Sequence, residues 1–133
     1  MNNDILRRLV STDATVAASA TYQLTTDILK REDVLELLRK RLDEKVDDDL
    51  LEITVMRLGV RAKDSFSFDR FAELALHHKN PLVRQAAVFA LASLGSEDAD
   101  QRSASLLRDL RTREQDPDVR SALEKTIREL ELR

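Results

Sequence analysis

The sequence has no cysteine and no tryptophan, a single tyrosine, and only two glycines and two prolines in 133 residues. Without cysteine there are no disulfides, no thiolate metal sites and no cysteine nucleophile. So few glycines and prolines cannot supply the turns of a sheet protein, which favours long helices before any pattern is read. No apolar run approaches the roughly 18 residues of a membrane span. The opening Met1-Asn2-Asn3-Asp4 lacks the basic segment and apolar stretch of a signal peptide. A cytoplasmic setting without membrane contact is therefore expected. The net charge is −3, with the acidic excess in residues 1–60 and a balanced remainder. A dedicated nucleic-acid binder would carry a basic excess.

What is present is a mixture of 42% hydrophobic and 35% charged residues, suited to a folded core under a heavily charged surface. At 133 residues a single domain over 1–133 is the natural expectation. The clearest signal is repetition. Asn80-Pro81-Leu82-Val83-Arg84-Gln85-Ala86-Ala87 returns 36 residues later as Asp116-Pro117-Asp118-Val119-Arg120-Ser121-Ala122-Leu123. The same step sets Leu91 over Ile127 and Leu94 over Leu130, and puts Leu58-Gly59 under Leu94-Gly95. Earlier in the chain Val16-Ala17-Ala18 is a weak echo.

The apolar spacing is helical. Val83, Ala86, Ala87, Ala90, Leu91 and Leu94 follow one stripe, and Val119, Ala122, Leu123, Ile127 and Leu130 repeat it. Eight helices are predicted, near 3–10, 13–30, 32–44, 46–60, 67–79, 81–94, 97–114 and 117–132. They pair as four antiparallel hairpins, with 61–67 as the longest connection. Asn80 and Asp116 are good capping types, and Pro81 and Pro117 stand where a missing N–H costs nothing. Gly59 and Gly95 stand where a helix would end in a left-handed residue. Val88, Phe89 and Ala92 widen the stripe of helix 81–94, so that helix should be covered on more than one side. In the last repeat, Glu124, Lys125 and Arg128 predict a polar outer face, as a solenoid's terminal repeat needs.

At Asn80–Gly95 and Asp116–Leu130 the chain resembles the second helices of HEAT repeats. It is most similar to the short bacterial form called phycobilisome-lyase-like HEAT repeats. The likeness is good over 66–133 and weak over 1–60, where Asp47 and Asp48 stand in place of Val and Arg. The resemblance implies an all-α solenoid of about four stacked hairpins, its second helices lining a concave face. It also implies mostly scaffold, adaptor or inhibitor roles. A minority of such proteins assist bilin attachment, and one relative acts on DNA. Fold alone does not choose among them.

Arg84 and Arg120 stand four residues after their caps, within reach on a helix surface. The resemblance implies a ladder in which Arg84 reaches Asp116 of the next repeat. Asn80, Pro81, Arg84, Asp116, Pro117 and Arg120 are thus expected to be structural. The acidic run Asp43, Glu44, Asp47, Asp48, Asp49 and Glu52 is partly a first-turn effect of helix 46–60. It lacks the central glycine of a calcium loop. A patch for a basic partner is the alternative. His77 and His78 are about 100° apart on a helix, and with Glu73 they make an incomplete metal set. Arg108 and Arg111 share a side of their helix, whereas Arg102 and Arg113 lie nearly opposite, so no phosphate-tracking stripe forms. No nucleophile elbow, phosphate loop or His-Glu-x-x-His motif occurs.

The expected function is non-catalytic protein binding, as adaptor, regulator or inhibitor, with no cofactor and no metal. Gln85 and Phe89 in the third repeat, and Ser121 and Lys125 in the fourth, are the candidate partner-binding residues, with Phe89 open between surface and core. A bilin lyase or chromophore-attachment factor is one alternative, and a nucleic-acid binder another. Ile5, Leu6, Leu9 and Val10 leave an apolar N-terminal hairpin that would suit a homodimer.

Overall fold

The computed structural model describes residues 3–59, 65–93 and 97–132, and among them contains nine helices and no strand. They are α1 (Asn3–Leu9), α2 (Ala14–Tyr22), α3 (Thr26–Leu29), α4 (Glu32–Arg41), α5 (Asp48–Gly59), α6 (Ser65–His77), α7 (Pro81–Ala92), α8 (Glu97–Arg111) and α9 (Pro117–Glu131). One expected helix, 13–30, is instead two. The break falls at Gln23 to Thr25, where the Thr25 hydroxyl accepts from Ile28 N–H at 3.3 Å and starts α3. Leu24 turns into the core there, and its carbonyl accepts a hydrogen bond from Arg57. Of the predicted connection at 61–67, residues 61–64 lie outside the described residues, as do Leu94 and Gly95, and residues 65–67 belong to α6.

Helices α2, α5, α7 and α9 pack side by side in one row, each against the next. Helices α1, α4, α6 and α8 pack on the second helix of their own hairpin, and α3 packs on α4. This is an α-solenoid of four hairpins. The outer row is tied together through side chains: Arg70 of α6 reaches Asp43 after α4, and Arg102 of α8 reaches Asp69 of α6.

A capping side chain opens every helix of the inner row. Asp13 accepts from Thr15 and Val16 N–H, Asp47 from Asp49 N–H, Asn80 from Leu82 N–H, and Asp116 from Asp118 and Val119 N–H. Caps at 13, 47, 80 and 116 mean that the repeats step by 34, 33 and 36 residues. A constant step of 36 therefore holds only from α7 to α9. Asp47 does not replace a valine; it is the equivalent of Asn80. Leu58 aligns with Leu91, not with Leu94.

Counted from the cap, the seventh residue is Ala20, Thr54, Ala87 or Leu123, and all four are fully buried. The eleventh is Leu24, Leu58, Leu91 or Ile127, also buried. These positions face the outer row. The eighth position, Thr21, Val55 and Val88, is buried against the following helix, whereas Glu124 in α9 is exposed. The tenth faces the preceding helix, so Ala90 and Thr126 are buried and Gln23 of α2 is exposed. Helix α7 is covered on both flanks through Val88, Ala90 and Ala92, whereas Phe89 is exposed; on α9 the flank without a following helix shows Glu124 and Arg128 to solvent, and Lys125 takes the exposed position of Phe89.

Gly59 corrects a second expectation. It is the last residue of α5 and is not in the left-handed region. Its small size serves close packing instead: a Cβ there would lie 2.7 Å from the Cβ of Ala90. The N-terminal hairpins hold a polar centre that no motif announced. Arg41, only 6% exposed, donates to the hydroxyls of Thr21 (2.8 Å) and Thr54 (3.3 Å) and to the carbonyl of Leu9. Both threonines donate onward to the carbonyl four residues back, Ala17 and Leu50. One guanidinium thus ties together α1, α2, α4 and α5.

Candidate functional site

The ninth position after each cap lies about half a turn from the buried stripe, facing away from the outer row. It is occupied by Tyr22, Met56, Phe89 and Lys125 in α2, α5, α7 and α9. Tyr22 is 72% exposed, Met56 50% and Phe89 41%. Single exposed apolar side chains are ordinary on a protein surface. Three at the same position of three successive helices form a stripe, and the fourth helix continues it with a lysine.

The fifth position flanks the stripe with Ala18, Glu52, Gln85 and Ser121. Of the four residues expected from the sequence, Phe89, Ser121 and Lys125 are exposed on this face and Gln85 is half-buried on it. Tyr22 and Met56 belong beside them and were missed. Counting from the caps Asp13 and Asp47 would have found them, whereas a fixed step of 36 did not.

The same face carries charges without counterions. Asp49 and Glu52 have no cationic partner, and Lys125 and Arg128 no anionic one, among the described residues. Burial, and then the neighbouring charge of Asp49, push the Glu52 carboxyl above its ordinary pKa. Charges elsewhere are mostly paired. Arg102 lies 3.8 Å from Asp69 and 4.0 Å over the Phe68 ring, Arg108 3.7 Å from Glu131, Arg111 3.8 Å from Glu124, and Arg113 2.9 Å from Asp109. Each of these arginines has an acidic neighbour within the chain.

The expected ladder takes a different course. Asn80 and Asp116 cap their helices, with Pro81 and Pro117 at the first turn. Arg84 does not reach Asp116; it grips Glu114, two residues earlier, through Nε–Oε1 at 2.9 Å and Nη2–Oε2 at 3.1 Å. Glu114 points back because its Oε2 also accepts from the backbone N–H of Gln115 and Asp116. Arg84 donates as well to the carbonyl of His78, and Arg120 makes the equivalent bond to the carbonyl of Glu114. Neither arginine bonds its own cap's side chain.

One repeat earlier the acid lies on the helix and not on the turn. Asp48 of α5 accepts from Asn80 Nδ2 at 3.1 Å and lies 3.5 Å from His78 Nε2. His78 Nδ1 accepts from Asn80 N–H, as Glu114 does from Asp116. The acidic run is thereby dispersed: Asp43 pairs with Arg70, Glu44 lies exposed near Arg41, Asp47 caps, Asp48 joins the rung, and Asp49 and Glu52 look onto the inner face. His77 is exposed, and Glu73 is held by Arg70 at 2.8 Å. Among the described residues no three metal-ligand side chains converge. At the N-terminal hairpin Ile5 and Leu9 are buried within the chain, Leu6 is half-buried, and Val10 is exposed.

A stack of helical hairpins with a continuous inner row defines the class of helical-repeat solenoids. The family model for HEAT repeats matches residues 35–128, and the chain belongs to that family. Comparison with curated proteins and with solved structures gives no match. HEAT repeats are commonly protein-interaction scaffolds and are generally non-catalytic. Among the described residues no helix is long and apolar enough to cross a membrane.

Proposed function

We propose that this chain is a non-catalytic, cytoplasmic protein-binding module, an adaptor, regulator or inhibitor, that meets its partner with the exposed face of α2, α5, α7 and α9. The stripe of Tyr22, Met56 and Phe89 running into Lys125 carries this reading. Exposed aromatic and methionine side chains at regular spacing on rigid helices are the raw material of binding hot spots. Unpaired charges beside them supply selectivity for a partner's charge pattern.

The test is affinity capture from the source cell with the wild-type chain and with a Met56→Asp/Phe89→Asp variant, after circular dichroism shows that both are folded. A partner held by the wild type and lost by the variant supports the reading. A partner held equally by both removes this face from the proposal. The finer likeness to phycobilisome-lyase-like repeats makes a separate demand, a response to bilin. On the protein-binding reading, adding a linear tetrapyrrole leaves its absorption spectrum unchanged.

A further inference from the structure

We propose that the cavity between α1, α2, α4 and α5 is a binding site for a carboxylate carried on an apolar body, with the Arg41 guanidinium as the group that holds the charge. The site lies apart from the proposed protein-binding face, since none of Tyr22, Met56, Phe89 and Lys125 lines it.

The starting point is a buried charge with no counterion. Among the described residues two ionisable side chains are buried, Glu114 and Arg41. Glu114 is answered by Arg84 at 2.9 Å. Arg41 has no carboxylate within ion-pair distance among the described residues, and its bonds go to the hydroxyls of Thr21 and Thr54 and to the Leu9 carbonyl. A guanidinium has five N–H groups, so at least two of them donate to no protein atom. Neutral acceptors call for N–H donors and not for a full charge, and burying a charge costs far more than burying an amide. The C-terminal end of α1, where Leu9 lies, returns at most about half an elementary charge. An anion would supply the remainder.

Arg41 also faces a space that an anion fits. It lines a cavity of about 500 Å³, within the range of small-molecule sites. Leu9, Ala17, Leu37, Val46 and Leu50 give that cavity apolar walls. Three cations line it, Lys40, Arg41 and Lys45, against two acids, Glu44 and Asp47. Neither lysine pairs with an acid among the described residues. Asp47 is committed to the Asp49 N–H as the cap of α5. Asp13 caps α2 and does not line the cavity. Glu44 is exposed, and its charge reaches Arg41 without forming an ion pair. The balance of the lining is one positive charge, in a chain whose net charge is −3. A single carboxylate matches that balance. A phosphate, at about −1.5 to −2, would overshoot it beside Glu44 and Asp47. The apolar walls ask for an apolar body behind the carboxylate. Two sources carry that chemistry, a free organic acid and the C-terminus of a partner chain ending in an apolar residue.

Titrating the full chain with octanoate, octanamide, inorganic phosphate and acetyl-alanyl-leucine with a free or an amidated C-terminus tests this, read by methyl NMR at Leu9, Leu37 and Leu50. An acid is expected to bind at these methyls about tenfold or more tightly than its own amide and than phosphate. Octanoate ahead of the peptide identifies a free acid, and the reverse order a chain end. Arg41→Met should abolish the preference for acid over amide, a loss that a purely structural arginine would not cause. Glu44→Gln removes an exposed competing acid, so it should tighten the acid and leave the amide unchanged. That variant decides the matter if Arg41→Met does not fold. Acid and amide bound alike, phosphate bound as tightly as the acid, no response at the three methyls, or an acid preference indifferent to both substitutions would each overturn the site.

Discussion

Arg84 and Glu114 form a two-point ion pair that locks α7 to the turn entering α9, and Glu114 is almost fully buried in it, its side chain 5% exposed. Such a bidentate contact is stronger and more directional than the surface pairs around it. Glu114→Ala should destabilise the fold by about 2–3 kcal/mol. That is below the roughly 3–5 kcal/mol for breaking a sealed pair, because Arg84 is 17% exposed and keeps its bonds to the carbonyls of His78 and Lys79. Urea denaturation measures it. An unchanged midpoint would show the pair to be ornamental.

Glu114 also makes stability depend on pH. Burial pushes its pKa up, but the Arg84 hydrogen bond, the N–H groups of Asp116 and Gln115 and the Arg84 charge outweigh this, and the pKa is lowered. A carboxylate with a depressed folded-state pKa contributes stability that is complete above the unfolded value, about 4.3, and lost as pH falls through the folded one. Wild type should thus lose stability below about pH 4.3 more steeply than Glu114→Gln. Parallel acid titrations that follow unfolding by circular dichroism make the comparison. Identical slopes would contradict the assignment.

The helices and the C-terminal repeats were legible because Asn-Pro-x-Val-Arg and Asp-Pro-x-Val-Arg encode cap, first turn and stripe in consecutive letters. The N-terminal register was not. Its caps, Asp13 and Asp47, carry no following proline, and its hairpins differ in length from the later ones. Arg41 was hidden for another reason. It follows Arg39 and Lys40 in a last helical turn, where basic residues are expected on dipole grounds alone. Its burial depends on Thr21 and Thr54, 20 and 13 residues away, and no local pattern contains that. Half of the exposed stripe was missed for the same reason, since Tyr22 and Met56 align with Phe89 only when counted from their own caps.

The Arg41 centre should behave as a coupled unit. Burial lowers the Arg41 pKa from its ordinary value, and the charge of Glu44 offsets part of this. All three hydrogen-bond acceptors are neutral oxygens. Thr54→Val keeps the shape and strands one buried N–H of a charged group, at about 1–3 kcal/mol. Arg41→Met removes the charge and its desolvation together and orphans chiefly the Leu9 carbonyl. After Arg41→Met, the further cost of Thr54→Val should therefore shrink, and a double-mutant cycle should give a coupling of about 0.5–3 kcal/mol. Additive costs would mean that the threonine and the arginine act separately.

Two neighbours on α7 separate core from surface. Leu91 is fully buried in the stripe that faces the outer row, and Phe89 is 41% exposed on the opposite side. Leu91→Ala should cost roughly 2–5 kcal/mol, a large share of a small domain's stability. Phe89→Ala should cost less than half as much, despite removing the larger side chain. Thermal melts of the two variants settle the order, and a Phe89 variant as damaged as the Leu91 one would move Phe89 into the core and break the exposed stripe.

Gly59 gives the most specific test of how the inner row is packed. At an unobstructed helical site, replacing glycine with alanine stabilises by about 0.5–1 kcal/mol. Here the added Cβ would meet the Ala90 Cβ at 2.7 Å and its Cα at 2.9 Å, both closer than real Cβ contacts come. The obstruction includes backbone, so it cannot be relieved by rotating a side chain. Pushing α5 and α7 apart should cost about 1–3 kcal/mol, which outweighs the helix-propensity gain. Gly59→Ala should therefore destabilise. Adding Ala90→Gly should restore only part of the loss, because the Ala90 Cα remains at 2.9 Å. A Gly59→Ala protein more stable than wild type would mean that α5 and α7 lie further apart than described.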